Sequence, residues 1–255
     1  MKFLIIGKKN IIAAALLLIV LASAIFSVGA TDAKSVYLGK SPRKVPIYSV
    51  DTVEKVCALS FDACWGAEKT QGILDTLTRY DARANFFVVS LWVEKYGEML
   101  QTLSSSGRIE IGTHSSTHPD MAKLSEKDMK LELEMSMALI NRTIGKTPDL
   151  FRPPYGSYND KLLNVAESLN LFTIQWDVDS LDWKGLSAAQ IASRVLSNVK
   201  NGSIILMHND GENTLNALPF ILEGLKNAGF TCKSIGEMIY RENYEIDHTG
   251  KQIRR

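Results

Sequence analysis

The sequence has few cysteines, almost no net charge and none of the short motifs that mark nucleotide-binding proteins. Its 255 residues include three cysteines and four histidines, and 29 basic residues balance 28 acidic ones to a formal charge of +1. Without a basic surface, a zinc-finger spacing or a phosphate-binding GxxxxGK[ST] loop, the sequence predicts no nucleic-acid partner. The lack of a GxSxG sequence argues against a serine esterase.

Residues 11–30 form a long uncharged run that follows Lys8 and Lys9. A helix of that length spans about 30 Å, the thickness of the hydrocarbon core of a membrane. Small residues towards the end of the run also offer cleavage sites for a signal peptidase. Two predictions therefore stay open. Residues 1–30 are either a signal-anchor that holds a domain at the outer face of the cell membrane, or a signal peptide whose cleavage secretes it.

Composition predicts three further segments beyond this run. Residues 31–52 resemble a linker with little apolar periodicity, and residues 53–241 are expected to form one folded domain. Residues 242–255 are predicted to be a polar, solvated C-terminal tail. The oligomeric state cannot be predicted from these patterns.

Seven short apolar runs, rich in β-branched and aromatic residues, predict buried strands. They are 56–61, 84–89, 108–112, 150–152, 171–177, 203–208 and 230–233. Amphipathic stretches between them predict helices at 70–80, 91–105, 125–144, 160–169, 187–199 and 214–228. This alternation predicts a parallel α/β fold, either a barrel or a doubly wound sheet.

Polar side chains capable of chemistry follow five of these runs at the point where each run ends. They are Asp62, His114, Arg152, the pair Asp177 and Asp179, and His208. Because the carboxyl ends of parallel strands meet at one edge of a sheet, the sequence predicts a single site. His114 and His118, four residues apart, can face the same metal ion.

Five motifs carry these residues in a fixed order along the chain. They are Leu59–Asp62, Thr113–Pro119, Arg152–Gly156, Asp179–Trp183 and Leu206–His208. Together they resemble the five motifs of the NodB-type polysaccharide deacetylases, carbohydrate esterase family 4. The layout also resembles the sporulation-associated, membrane-anchored branch of that family.

The resemblance implies both a fold and a reaction. The fold is a distorted (β/α) barrel of about seven parallel strands, here preceded by one N-terminal hydrophobic helix. The reaction is hydrolysis of the N-acetyl groups of a glycan that contains GlcNAc or MurNAc. Peptidoglycan and a chitin-like oligosaccharide are the two substrates that the resemblance leaves open.

The resemblance further implies a role for each matching residue. Asp62 would be the general base, oriented by Arg152, and His208 would be the general acid, paired with Asp182. A divalent metal, with zinc favoured, would bind to two histidines, and the backbone amide of Tyr155 would help to hold the oxyanion. The implied metal ligands are His114 and His118, and the implied substrate-binding residues are Tyr155, Pro154, Trp183 and Leu206.

The first motif departs from the family pattern at one position. The family has two adjacent aspartates, a base and then a metal ligand, whereas this chain has Asp62 followed by Ala63 and then Cys64. Two histidines alone should hold zinc weakly. The thiolate of Cys64, the carboxylate of Glu68 or water could complete the ligand set. Alternatively the metal is lost and the domain only binds glycans, but the persistence of both acid–base pairs favours an enzyme.

Overall fold

The computed structural model describes residues 43–255, which form one curled sheet flanked by helices. The strands are β1 (Ser49–Val50), β2 (Val56–Ala63), β3 (Ala84–Val88), β4 (Ile109–Thr113), β5 (Leu150–Phe151), β6 (Phe172–Thr173), β7 (Val178–Asp179), β8 (Ser203–His208), β9 (Thr231–Cys232), β10 (Tyr244–Ile246) and β11 (Lys251–Arg254). The helices are α1 (Thr70–Arg79), α2 (Ser90–Lys95), α3 (Gly97–Ser105), α4 (Glu126–Ile144), α5 (Asp160–Ser168), α6 (Ala188–Asn198), α7 (Thr214–Asn227) and α8 (Ile235–Met238).

Strand β2 lies at the centre of the sheet and is buried at every position. The strand order is β10-β11-β1-β8-β2-β3-β4-β5-β6, with β7 paired to β8 and β9 paired to β2. All neighbours from β8 to β6 are parallel. Ile47 bridges to Ile174 just beyond β6, and β1 then pairs with β8. Residues 47–50 thus connect the two ends of the parallel sheet and curl it towards a barrel.

The core has two sides because side chains alternate along each strand. Leu59, Phe61 and Ala63 of β2 pack in a hydrophobic cluster with the buried faces of the surrounding helices. Ala58 lies in a second cluster, inside the curl of the sheet. Asp62 is four residues after Ala58 on the same strand, so its side chain lies on the same inner face and its carboxylate is inside the curl.

All seven predicted runs contain a strand, but the sheet is larger than predicted. The described residues form eleven strands rather than about seven. Strands β1, β7, β10 and β11 are two to four residues long, so they lack the continuous apolar run that identifies a buried strand. The predicted helix 91–105 is two helices, since Tyr96 leaves the helical backbone conformation at φ −126° and ψ 38°.

The structure corrects the interpretation of residues 242–255 as a solvated tail. They form the antiparallel pair β10 and β11, and β11 pairs with β1. Gln252 is fully buried, and its side chain exchanges two hydrogen bonds of 2.8 Å with the backbone of Tyr240. A hairpin at the sheet edge needs few apolar side chains, which is why the polar composition was misleading.

The predicted N-terminal hydrophobic helix and the segment 1–30 lie outside the described residues. None of the helices within residues 43–255 has the length and apolar character that a membrane crossing requires. Ile47 and Val50, at the end of the predicted linker, are buried in the core. The folded domain therefore includes residues that the composition assigned to the linker.

Candidate active site

The carboxyl ends of four strands bring the chemically active side chains to one edge of the sheet. Asp62 lies near the end of β2, and it is in register with His208, the last residue of the neighbouring β8. His114 directly follows β4, and Arg152 directly follows β5. These four residues, predicted from strand ends, come together as the parallel topology requires.

The pair of Asp62 and Arg152 is sealed inside the protein. Arg152 is fully buried, and its Nη1 donates to Asp62 Oδ1 at 2.8 Å. Its Nη2 donates to Ser60 Oγ at 2.8 Å and to the carbonyl oxygen of Gln175 at 3.2 Å. Burial by itself raises the pKa of Asp62, but the charges of Arg152, His114 and His208 and the hydrogen bond from Arg152 together outweigh it and lower that pKa below its ordinary value. Asp62 is therefore a charged carboxylate at neutral pH.

Three side chains beside Asp62 form a group of metal-type donors. The donor atoms of Cys64, His114 and His118 all lie within 4.8 Å of one another. His114 Nδ1 lies 2.7 Å from the carbonyl oxygen of Arg152, which can only accept, so Nδ1 carries the proton. Nε2 therefore has the lone pair, and it lies 3.5 Å from Asp62 Oδ2. Metal-binding histidines usually have such a partner on the second nitrogen.

The charge states of the two histidines also suit a metal. Burial lowers the pKa of His114 to about 4, and burial lowers the pKa of His118 as well, so both imidazoles are neutral near pH 7. Neutral imidazole is the form that binds metals. Burial, together with the charges of Asp62 and Asp210, raises the pKa of the Cys64 thiol, so a metal that binds there would have to displace the thiol proton.

Cys64, and not Glu68, lies with the two histidines. The carboxylate of Glu68 accepts a hydrogen bond from the backbone nitrogen of Ala67 at 3.0 Å, within its own loop. One thiol and two imidazoles are soft and intermediate donors, a set found around catalytic zinc. The residues present therefore fit a divalent metal of the zinc type.

The loop that carries His118 has an unusual backbone held by a helix. Ser115 and His118 have positive φ angles of 73° and 59°, a region that side-chain-bearing residues adopt at some cost. Glu132 of α4 accepts hydrogen bonds from the backbone nitrogens of Ser116 and Thr117 at 2.9 and 2.8 Å. It also accepts from Thr117 Oγ1 at 2.7 Å. Glu132 thus fixes the conformation that presents His118.

The pair of His208 and Asp182 lies on the other side of Asp62. His208 Nδ1 lies 2.7 Å from Asp182 Oδ1, and the backbone nitrogen of His208 donates to Asp182 Oδ2 at 2.7 Å. Thr214 Oγ1 donates to the same oxygen at 2.6 Å. Burial alone lowers the pKa of His208, but the hydrogen bond and charge of Asp182 outweigh it and raise that pKa. The imidazole is therefore held ready to carry a proton.

The predicted substrate-binding residues differ in exposure. Leu206 and Pro154 are buried, whereas Tyr155 is 71% exposed and Trp183 is 57% exposed. The ring of Tyr155 meets the ring of His118 edge-on, with centroids 4.6 Å apart. Tyr155 also has a positive φ of 59°, so the turn after Arg152 is fixed in an uncommon conformation.

Four residues that support the site were not predicted from the sequence. They are Ser60, Glu132, Gln175 and Thr214. Ser60 could have been found, because it lies two residues before Asp62 on the same strand face. The expectation that Asp177 belongs to the site is wrong. Its carboxylate accepts from Ser203 Oγ and from the backbone nitrogen of Ile204, both at 2.8 Å, where β8 begins.

Comparison with known proteins gives concordant relatives. The polysaccharide deacetylase family matches residues 49–174. The chain is 35% identical over 176 residues to a peptidoglycan-N-acetylglucosamine deacetylase of Bacillus cereus, covering 68% of this chain and 64% of the relative. It thus spans just under two thirds of that relative's length. A second Bacillus cereus protein of the same name is 36% identical over 194 residues, covering 72% of this chain and 70% of the relative.

A solved structure adds a different kind of relative. A carbohydrate esterase family 4 pseudoenzyme from Bacillus anthracis superposes with a TM-score of 0.74 at 31% identity, covering 78% of this chain and 69% of that one. A mutant of the same protein, described as having restored enzymatic activity, superposes with the same TM-score of 0.74. Motifs, topology and relatives agree that the chain belongs to the polysaccharide deacetylase family, carbohydrate esterase family 4.

Proposed function

We propose that this protein is a metal-assisted glycan N-deacetylase that removes acetyl groups from GlcNAc or MurNAc residues, with peptidoglycan as the favoured substrate. One observation carries the proposal. Two hydrogen-bonded pairs adjoin a group of three metal-type donors. In one pair Arg152 orients the proposed base Asp62, and in the other Asp182 orients the proposed acid His208. The relatives that are named peptidoglycan deacetylases support the choice of glycan.

The metal would be held by Cys64, His114 and His118, with zinc favoured by the donor types. When bound, it would polarise the acetamide carbonyl and make a nearby water more acidic. Cys64 would replace the carboxylate that the family carries one position earlier. Ala63 cannot supply a ligand, since its side chain is a methyl group buried in the hydrophobic cluster against the helices.

Asp62 would accept a proton from the attacking water while the oxygen of that water bonds to the acetyl carbon. Arg152 keeps Asp62 ionised and fixes its orientation through a 2.8 Å hydrogen bond. A positioned carboxylate base of this kind contributes about 10²–10⁴-fold to a rate. The backbone amide of Tyr155 would donate to the oxyanion that develops on the acetyl oxygen.

His208 would donate its proton to the glycan nitrogen as the carbon–nitrogen bond breaks, which releases acetate and a free amine. Asp182 Oδ1 receives the hydrogen on Nδ1, so Nε2 is the nitrogen left to protonate the leaving group. The same carboxylate raises the pKa of His208 and keeps a proton available. Leu206, Trp183 and Pro154 would line the pocket that receives the acetyl group and the sugar.

A second function, glycan binding without catalysis, is favoured by one specific observation. Ala63 replaces a metal-ligand aspartate, and the chain resembles a structure described as a family pseudoenzyme. Such a protein would keep the glycan surface and lose the metal. It would bind glycan saturably and release no acetate under any metal supply.

We further propose that the domain lies outside the cytoplasm, in one of two ways. Residues 11–30 would tether the domain to the outer face of the cell membrane, or would be removed when the domain is secreted. In either case the glycan of the cell wall would be within reach. The sporulation-associated branch of the family remains a prediction from motif layout.

Acetate release by the full-length protein tests the proposal. Peptidoglycan fragments and GlcNAc oligomers would be incubated with added zinc, with cobalt, and with a chelator. We expect release with metal, loss with chelator, and a loss of at least about 10²-fold in Asp62→Asn. Asp75→Asn, an exposed carboxylate of α1, should behave as wild type and serves as the matched control. Saturable glycan binding without acetate release under every condition would instead establish the second function.

A further inference from the structure

The described chain exposes few aromatic rings, and most of them lie at one place. Within residues 43–255 four large aromatic side chains are exposed: Trp65 at 64%, Tyr155 at 71%, Trp183 at 57% and Phe220 at 58%. Phe220 is on helix α7, away from the strand ends. The other three follow the carboxyl ends of β2, β5 and β7, where the candidate active site lies.

Tyr155 and Trp183 already have proposed roles in substrate binding, whereas Trp65 has none. It directly follows Cys64, yet its side chain is more exposed than that of Trp183. Among the described residues no aromatic ring or cation stacks on its indole, unlike Trp183, which has Lys184 Nζ 4.8 Å from its ring centroid. A ligand that covers the indole would remove this apolar surface from water, which favours binding.

The backbone that carries Trp65 is anchored from several directions. The carbonyl oxygen of Gly66 accepts from Trp92 Nε1 at 2.6 Å and from Asn209 Nδ2 at 2.9 Å. Lys69 Nζ donates to the carbonyl oxygens of Asp210 and Gly211, each at 2.9 Å. These contacts fix the loop after β2 to the loop after β8. A ring presented by such a loop loses little freedom when it contacts a ligand.

The sheet topology places Trp65 and Trp183 on opposite sides of the general acid. Strands β2 and β7 both pair with β8, which ends at His208. Trp65 leaves from the end of β2, and Trp183 lies in the turn after β7. Tyr155, after β5, lies further round the curl of the sheet. Loops that carry exposed aromatic side chains therefore follow strands on both sides of β8, which ends at His208.

We infer that Trp65 is a second sugar-binding platform, which stacks on a pyranose ring next to the one that is deacetylated. The ligand class is a chain of linked N-acetylated aminosugars and not a monosaccharide. The apolar face of a pyranose matches an exposed indole, and a neighbouring ring must lie beyond the acetyl pocket. This inference rests on the proposed function only for the identity of the ligand as an aminosugar glycan.

Binding measured without turnover tests the inference. Titration calorimetry of the full-length protein in detergent, with a chelator present to prevent hydrolysis, would use GlcNAc and its oligomers from two to six units as probes. Stacking that buries roughly 60 Å² of apolar surface corresponds to about tenfold in affinity. We expect Trp65→Ala to weaken the longer oligomers about tenfold and to leave monosaccharide binding unchanged. Trp65→Phe should recover most of the affinity.

Phe220→Ala is the matched control, because it removes a similarly exposed ring that lies within helix α7 and not in a strand-end loop. Its affinity for every oligomer should equal that of the wild type. Equal affinity of Trp65→Ala and wild type for all lengths would overturn the inference, as would wild-type affinity that does not increase with length. Length-dependent binding that requires Trp65, without any acetate release, would retain this platform and overturn the deacetylase assignment alone.

Discussion

The two sides of the site differ in how far solvent reaches them. On the closed side, the side chains of Arg152 and Asp62 are 0% and 7% exposed. On the open side, the side chain of His208 is 26% exposed while its partner Asp182 is fully buried. The closed side holds a charge that would be unstable without its partner, whereas the open side places the imidazole of His208 within reach of solvent. Substitutions on the closed side should therefore change both stability and activity. Substitutions on the open side should mainly change the pH profile of activity.

The largest effect is expected on the closed side, from Arg152→Met. This change leaves Asp62 buried without its cation, and breaking a buried pair costs about 3–5 kcal/mol. The pKa of Asp62 should rise, since only burial and weaker neighbours remain to act on it. Urea unfolding should show the loss of stability, and acetate release should fall by about 10³-fold. Unfolding and activity like those of wild type would mean that the pair is not coupled in this way.

The next effect concerns the donor group that adjoins the closed side. Cys64→Ala removes one of three donors and should weaken metal affinity by about 10²-fold, which competition with a chromophoric chelator would measure. Cys232→Ala is the matched control, because Cys232 lies on β9, paired to the opposite end of β2. Equal losses in both variants would show a general effect on the fold and not a ligand role.

On the open side, Asp182→Asn should change the pH profile more than the fold. Asp182 raises the pKa of His208, so the acid stays protonated to a higher pH in the wild type. In the variant the activity should decline at a lower pH than in the wild type, because His208 loses its proton more easily. An unchanged alkaline limb in the pH–rate profile would contradict the assignment of His208 as the acid.

The smallest effect should come from Glu132→Ala, which acts on the donor group through the backbone. Loss of its three hydrogen bonds should let the loop of Ser115 to His118 relax from its positive φ conformation. We expect metal affinity to fall about fivefold, below the 10–100-fold typical of groups bonded directly to a ligand. Amide hydrogen exchange at Ser116 and Thr117 should also become faster.

Glu134→Ala on the same helix is the control for Glu132, because Glu134 is exposed and pairs only with Lys130 at 3.6 Å within the described chain. It should change neither the metal affinity nor the exchange of the loop amides. Full recovery of both properties by Glu132→Gln would show that hydrogen-bond geometry, and not negative charge, holds the loop. Wild-type metal affinity in Glu132→Ala would contradict the positioning role.

Parallel strands and their ends could be predicted because both rest on local sequence patterns. Buried parallel strands appear in the sequence as apolar runs. The polar residues that end these runs meet at one edge of the sheet, and this rule identified Asp62, His114, Arg152 and His208. Ser187 was also predicted to begin a helix, and it forms a capping box with Gln190. These features depend on a few neighbouring residues and on general topology.

The features that could not be predicted depend on long-range contacts. Glu132 supports the loop of His118 from a different helix, and Gln252 is buried by pairing with distant strands. The choice between Cys64 and Glu68 as the third donor depended on how one short loop turns after β2. Motif spacing contains no information about that turn. The folded backbone places Cys64, and not Glu68, beside the two histidines.

Cobalt titration of the full-length protein tests the central claim, that Cys64 joins two histidines in holding a divalent metal. A cobalt–thiolate bond gives a charge-transfer absorption that imidazole and carboxylate ligands do not give. The account predicts that this band appears, saturates at one cobalt per chain and is absent in Cys64→Ser. A saturated cobalt site without the band, or a band that persists in Cys64→Ser, would contradict it.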